Sequence, residues 1–234
     1  KIKKVFKAHD TVFFAAAKAP AKNFLDYLYN VRICKNVINS INKTSIDHLI
    51  YLSSDAVFSD IKNKIKEDSP KNPNSYHGKM HLKRERLLKK KFKEKLTILR
   101  PTLIYGKDDP HNGYGPNKFV RLAKKNKNIE IFGEGEEKRD HVHIEDVSYI
   151  ITKIIKNKLI GEFNIATGNL TSFLDIAIKC INYTNSRSKL IKIKRKSKKL
   201  PHNGYRPFNV KKIKSFFKNK NIININKGIQ KLIR

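Results

Sequence analysis

The sequence predicts an α/β protein: a parallel sheet flanked by helices, followed by a smaller C-terminal α+β lobe. Two observations carry this. Over residues 11–101, short continuous apolar runs alternate with stretches of helical periodicity. After Gly106 the pattern breaks into turns and shorter elements. Strand, helix, strand, helix, strand implies right-handed crossovers and a parallel sheet with helices on both faces.

Thr11-Val-Phe-Phe-Ala-Ala-Ala reads as a strand buried on both faces, because it lacks polar alternation. Residues 23–42 then place Phe24, Leu28, Val31, Ile38 and Ile41 at helical spacing. His48-Leu-Ile-Tyr-Leu-Ser-Ser is a second buried strand, residues 77–92 a second helix, and Leu96-Thr-Ile-Leu-Arg-Pro a third strand. In such sheets the ligand crevice lies beyond the carboxyl ends of the strands, so Ser53, Ser54, Pro101 and Thr102 are expected to line it. The stretch 107–117 is turn-rich (Asp108, Asp109, Pro110, Asn112, Gly113, Gly115, Pro116). Beyond it, Ile129–Phe132, His141–His143 and Phe163–Ile165 read as short strands, and Glu145–Lys156 and Ser172–Tyr183 as helices. A division into 1–106 and 107–234 follows, with some later elements returning to the sheet. Ile213, Phe216, Phe217, Ile222, Ile229 and Leu232 interrupt the C-terminal lysines, so that stretch is expected to fold.

The formal net charge of +32 raises nucleic-acid binding. It arises from 42 Lys against only 10 Arg, alongside 30 Ile and 23 Asn, the signature of A/T-rich codons. Arg is the residue suited to bidentate phosphate and base contacts, so its scarcity disfavours that reading. Lys192–Lys199 is the strongest basic patch and reads as a mobile loop. Cys34 and Cys180 are too few and too far apart for a disulfide framework or a Cys-based zinc site, which suits a reducing cytoplasm. No apolar run approaches the roughly 20 residues that span a bilayer.

His77-Gly-Lys-Met-His-Leu-Lys-Arg-Glu85 sets His77, His81 and Glu85 four residues apart, on one face of a helix. Such a face suits metal binding, proton transfer or plain solvation. A zinc-protease helix carries its general-base Glu right after the first His, where this chain has Gly78, so no metal is assigned. His141 and His143, on a short strand, are expected to point apart. The first glycine is Gly78, so no Gly-rich pyrophosphate turn opens the first strand.

Five segments, in this order, resemble the extended short-chain dehydrogenase/reductase family, the NAD-dependent epimerases, dehydratases and reductases of nucleotide sugars. They are Asp10-Thr-Val-Phe-Phe-Ala-Ala; Asn30 in the next helix; Tyr51-Leu-Ser-Ser-Asp-Ala-Val-Phe; Leu99-Arg-Pro-Thr-Leu-Ile-Tyr-Gly; and Ile131-Phe-Gly-Glu-Gly-Glu-Glu-Lys-Arg-Asp-His-Val-His-Ile-Glu-Asp-Val. The resemblance implies a Rossmann-like parallel sheet lacking its N-terminal section, with a smaller C-terminal α+β substrate lobe. It implies NAD or NADP as cofactor, beside Ala15, Ala16, Asn30, Ser53, Pro101 and Thr102. It implies a nucleotide-sugar substrate met by Asp55, Asn117, Phe119, Arg139 and Arg206, and a homodimer.

Where the family carries Tyr-x-x-x-Lys, the surrounding Gly, Leu and Glu put His77 and His81 in register with the tyrosine and the lysine. Tyr76 is the other candidate, but Met80 stands four residues on. A histidine with an unperturbed pKa near 6.5 exchanges protons at neutral pH without a lysine beside it. His77 is therefore expected as base or acid, Ser54 as hydrogen-bond partner of the reacting oxygen, and His81 as its orienter. Ala56 replaces the glutamate that dehydratases keep beside the equivalent of Asp55, which favours epimerase or reductase chemistry over dehydration. The alternatives are a degenerate, non-catalytic member that binds a nucleotide sugar, and a basic nucleic-acid-associated protein.

Overall fold

The computed structural model describes residues 6–109, 112–195, 200–217 and 221–234. In chain order the elements are β1 (Thr11–Phe14), α1 (Phe24–Ile41), β2 (His48–Leu52), α2 (Tyr76–Phe92), β3 (Leu96–Pro101), β4 (Leu103–Tyr105), α3 (Pro116–Ala123), β5 (Ile129–Phe132), β6 (Lys138–His143), α4 (Ile144–Lys156), β7 (Gly161–Ile165), β8 (Leu170–Ser172), α5 (Phe173–Tyr183), β9 (Leu190–Ile193), α6 (Lys211–Lys214) and α7 (Ile225–Ile233). They form two compact units. The first takes residues 1–59, 66–101 and 151–165; the second takes 60–65, 102–150 and 166–234. By residue number the second unit is not the smaller.

The first unit is a Rossmann-like parallel sheet in the order β1-β2-β3-β7. α1 and α2 pack against each other, hence on one side of it. Val12, Phe14, Leu49, Tyr51, Leu96 and Ile98 meet Cys34, Val37, Ile38 and Ile41 of α1 and Leu88 of α2. Each such apolar side chain removed from water contributes about 1.5–3 kcal/mol. His48, Ile50, Thr97 and Leu99 alternate to the other face and are buried as well, which is why β2 and β3 show no regular polar alternation. Thr97 donates there to the Leu159 carbonyl, on the approach to β7.

Two expectations for this unit are corrected. β1 is not buried on both faces: among the described residues it lies at the edge of the sheet with Thr11 and Phe13 exposed, and it ends at Phe14 rather than Ala17. On α1, Phe24 and Leu28 are 54% and 45% exposed, and Leu25 and Tyr29 are exposed beside them. The inward positions of those turns are polar instead. Asp26 and Asn30 face the loop after β1, and the buried apolar stripe begins only at Val31.

The second unit holds a three-stranded sheet, β4-β6-β8, and a two-stranded one, β5-β9. Its core gathers Tyr105, Phe119, Val120, Ile129, Ile131, Phe173, Ile176, Cys180, Ile229 and Leu232. In its described residues the C-terminal stretch is thus folded, with Ile213, Ile229 and Leu232 buried as its apolar spacing implies. β4, β8 and β9 escape sequence reading because each is three or four residues long. β9 also corrects the loop reading of the basic run. Lys192 lies in a strand and pairs with Glu134, and Arg195 pairs with Glu136 at 2.9 Å. Lys196–Lys199 and Pro110 lie outside the described residues. Among the described residues, no helix is long and apolar enough to cross a membrane.

Candidate active site

The sequence fixes α2 against the end of β2 by one glycine. Ser75 caps the helix, its hydroxyl accepting from Gly78 N at 3.1 Å. A Cβ on Gly78 would stand 2.1 Å from the Ala56 carbonyl and 2.6 Å from Pro73 Cβ, so only glycine permits this approach. The short 3-10 turn Asp55–Val57 therefore lies directly against the helix start. Ser54 opens that turn, its hydroxyl accepting from Ala56 N at 3.2 Å.

His77 and His81 face each other edge-on, ring centroids 4.7 Å apart and planes at 86°. Burial lowers the pKa of His77, while the nearby Asp55 charge pulls it back up. His81 is pushed well below 6.5 by burial, by His77 and by the Arg84 guanidinium. Its Nδ1 lies 2.7 Å from the Tyr51 hydroxyl of β2. His77 Nδ1 is buried with no hydrogen-bond partner, which leaves Nε2 as the nitrogen able to meet a ligand. Tyr76 is 42% exposed beside Phe24, apart from this cluster.

Glu85 closes the same helix face but takes no part in the histidine pair. Its carboxylate accepts from Ser53 Oγ at 2.6 Å and from Arg100 Nε and Nη2, each at 2.8 Å. Glu85 and Arg100 are both essentially inaccessible to solvent. This saturation removes Glu85 as a metal ligand. Among the described residues, no group of three or more His, Cys, Asp or Glu stands in metal-binding geometry.

The residues expected around a dinucleotide divide into two kinds. Ala15 and Ala16 are exposed small side chains at the carboxyl end of β1, and Pro101 ends β3. Thr102, the next residue, has a buried hydroxyl with no hydrogen-bond partner. Asn30 and Ser53, by contrast, have their polar groups taken. Asn30 accepts from Lys18 N at 2.9 Å and donates to the carbonyls of Lys18 (2.9 Å) and Asp26 (2.8 Å), so it braces the loop after β1. Ser53 gives its hydroxyl hydrogen to Glu85. Lys18 itself pairs with Asp26 at 2.7 Å.

In the second unit, Arg139 and Arg206 belong to one charged cluster. Arg206 is 1% exposed and donates to Asp60 at 2.7 Å, and Arg139 donates to Glu137 at 3.1 Å. His202 Nδ1 lies 2.5 Å from the same Asp60 oxygen. Burial, then the charges of Arg139 and Arg206, lower the His202 pKa against the pull of Asp60. Asp140 accepts from the backbone N–H groups of Thr167 (2.9 Å) and Gly168 (2.7 Å).

Two substrate-site expectations and one strand argument fail here. Phe119 is fully buried in the core against Tyr114, so it offers no face to a ligand. Asn117 spends its amide on Gly106, accepting from its N at 3.3 Å and donating to its O at 2.6 Å. His141 and His143, two apart on β6, share one side of the strand, since side chains alternate with period two. Both rings stand edge-on to Tyr105, at 6.4 and 5.2 Å. Complete burial lowers the His141 pKa to about 3. Sequence reading assigned no role to Tyr51, Arg84, Asp60 or His202.

The sequence model of the NAD dependent epimerase/dehydratase family matches residues 1–166. The chain belongs to this family. Its similarity extends to the N-acetyl-alpha-D-glucosaminyl-diphospho-ditrans,octacis-undecaprenol 4-epimerase of Escherichia coli O157:H7, 26% identical over 162 residues, or 65% of this chain and 47% of that protein. It also extends to the ADP-L-glycero-D-manno-heptose-6-epimerase of Brachyspira hyodysenteriae, 29% identical over 217 residues, or 86% of this chain and 67% of that protein. The chain spans about half the length of the first curated relatives it matches. Among solved structures, the UDP-glucuronic acid 4-epimerase of Bacillus cereus with UDP-glucuronic acid and NAD superposes at TM-score 0.82 with 21% identity, covering 94% of this chain and 73% of that one. RMD from Pseudomonas aeruginosa with NADPH gives TM-score 0.84 at 14% identity, over 96% and 80%. These likenesses place the fold of this family member.

Proposed function

We propose that this chain is the catalytic body of an NAD- or NADP-dependent enzyme acting on a nucleotide sugar, with epimerase or reductase chemistry. The observation that carries the reading is the histidine pair at the carboxyl end of the parallel sheet, packed through Gly78 onto Ser54-Asp55-Ala56. His77 takes or returns a proton at Nε2, with Asp55 favouring its charged form and the Ser54 hydroxyl available to the reacting oxygen. No carboxylate stands at position 56, which argues against dehydration. Ala15, Ala16 and Pro101, at the carboxyl ends of β1 and β3, fit a dinucleotide, the small alanines leaving room for it. Bound there, the dinucleotide would supply hydride transfer. Arg206 and Arg139, of the second unit, suit a diphosphate.

A thermal-shift titration tests this. NAD or NADP and one of the UDP-, dTDP- or GDP-sugars should each raise Tm, and His77→Ala should abolish turnover while sparing both shifts. Stabilisation by a sugar nucleotide alone would support a binding module, and full activity of His77→Ala would end the catalytic reading. The net charge does not support nucleic acid as partner, since it comes from 42 Lys against only 10 Arg, and Arg100 and Arg195 are paired with carboxylates. The two cysteines, both free and buried, fit a cytoplasmic setting.

The reading includes a homodimer through α1 and α2. Exposed Phe24, Leu25, Leu28 and Tyr29 are too many apolar side chains on one helix end for a solvated face, and a cavity of ≈ 590 Å³ adjoins them, lined by Phe24, Tyr27 and Tyr76 among others. Light scattering should give twice the chain mass, and Leu25→Arg should halve it.

A further inference from the structure

His81 stands where the family's lysine would stand, yet its surroundings oppose a positive charge. It is 5% exposed, and Arg84, fully buried on the next turn of α2, lies over the Tyr51 ring at 5.1 Å. Arg84 donates to the Ala16 carbonyl at 2.7 Å and sits 4.3 Å over Phe14, and among the described residues it makes no ion pair. A second cation beside it would be repelled in a medium of low polarity. The lysine's charge has therefore not simply moved to His81.

The Tyr51–His81 contact decides which proton His81 keeps. One of the two groups must donate across 2.7 Å. Tyr51 is fully buried, and its phenol is pushed far above the ordinary range, chiefly by burial, so it retains its hydrogen. Among the described residues, the one hydrogen bond of that phenol is to His81. Ser53, which gives its own hydrogen to Glu85 at 2.6 Å, lies near but does not meet the phenol in hydrogen-bond geometry, so it is no acceptor for the phenolic hydrogen. If His81 donated from Nδ1, the phenolic hydrogen would be buried without an acceptor, at a cost of about 1–3 kcal/mol. The phenol therefore donates, Nδ1 is the bare acceptor, and the ring hydrogen is on Nε2, the nitrogen turned away from Tyr51.

We infer that Tyr51 is a positioning residue that locks His81 as the neutral Nε2–H tautomer, making it a fixed hydrogen-bond donor rather than a second base or a cation. Two consequences follow. The ligand atom that meets His81 must be an acceptor oxygen, a hydroxyl or carbonyl. His77, 4.7 Å away, can take up a proton without a like charge beside it. The catalytic meaning rests on the function proposed above, but the tautomer does not.

Long-range proton–nitrogen NMR of the histidine rings in the intact chain tests the tautomer directly, with His81→Gln assigning the signal. His81 should show a protonated Nε2 and a bare Nδ1, unchanged between pH 8 and pH 5. Tyr51→Phe, which keeps the ring and removes the hydroxyl, should bring in the Nδ1–H form and raise the apparent pKa of His81. With a turned-over substrate, kcat should fall about five- to tenfold at constant KM, the size of one neutral hydrogen bond. A wild-type spectrum with Nδ1 protonated, or with His81 titrating near 6.5, overturns the inference even if Tyr51→Phe does not fold. An unaltered tautomer in a folded Tyr51→Phe overturns it too. Should the tautomer hold while His77→Ala retains full activity, the proposed function fails and this inference stands.

Discussion

Gly78→Ala sets two known effects against each other. Helix propensity alone favours alanine by about 0.8–1.0 kcal/mol within a helix. Packing opposes it. The added Cβ would sit 2.1 Å from the Ala56 carbonyl oxygen and 2.6 Å from Pro73 Cβ, so the helix start and the 55–57 turn must part by about 1 Å to reach ordinary van der Waals distance. Neither neighbour is the end of a flexible side chain, and overpacking of this kind costs about 1–3 kcal/mol. The net expectation is a loss of roughly 0–2 kcal/mol, a Tm lower by up to about 8 °C for a chain of this length. The same separation moves His77 away from Asp55, so the His77 pKa should fall further as the pull of that carboxylate weakens. Thermal melts by circular dichroism, with histidine NMR for the pKa, read both. A Gly78→Ala protein with raised Tm and an unmoved His77 would refute the close approach from which the site is built.

Glu85→Gln leaves the buried Arg100 with only the partly exposed Glu162 as carboxylate partner in its cluster, so urea unfolding should show a loss of about 3 kcal/mol. Asn117→Ala should cost about 1–3 kcal/mol through the two lost bonds to Gly106, with sugar-nucleotide affinity unchanged, because Asn117 acts as a backbone clamp. Stability should also fall as pH drops below 6.5. His48, His77, His81, His141 and His202 all have folded pKa values lowered chiefly by burial, so the unfolded chain binds more protons between 6.5 and each folded value. That stability is complete above 6.5 and is lost going down, at up to about 1.4 kcal/mol per pH unit for each such histidine, with His141 extending the window to about 3. A Tm that stays flat between pH 7 and pH 5 would contradict it.

Much of the scaffold was legible because it rests on repeating patterns. The runs at 48–52 and 96–101 are mainly apolar and lack polar alternation, since both faces of their strands are covered, and the helix read over 77–92 begins one residue from α2. The site was legible only where residues adjoin in sequence. His77, Gly78 and His81 share a helix, and Ser53 to Asp55 share a turn. Tyr51 looks like any core aromatic in an apolar strand; alternation puts it on the helix side of the sheet, but no local pattern says that a histidine thirty residues on will meet its hydroxyl. Arg84 reads as one more surface cation on a lysine-rich helix, and only its place three residues after His81 hints that it turns inward. Phe119 and Asn117 show the converse failure. A motif position suggested ligand contact, while the packing around them used the ring for the core and the amide for Gly106.

The face that carries His77, His81 and Glu85 divides its work by position. Glu85 ties α2 to β3 through Arg100 and to the end of β2 through Ser53, three hydrogen bonds that leave the helix no freedom to rotate there. Seven residues earlier Gly78 lets the helix backbone touch the Ala56 carbonyl, which fixes its other end. Two such constraints set both the height and the rotation of α2, so whatever stands at positions 77 and 81 is presented to the same place. On the proposed reading, in which two histidines stand for a tyrosine and a lysine, the scaffold is unchanged and only the second ring needs a new partner, which Tyr51, on the strand already facing that helix, supplies. Removal of Glu85 should for this reason disturb the His81 tautomer as well as stability, whereas a lysine changed on the exposed side of α2, such as Lys83→Ala, should alter neither.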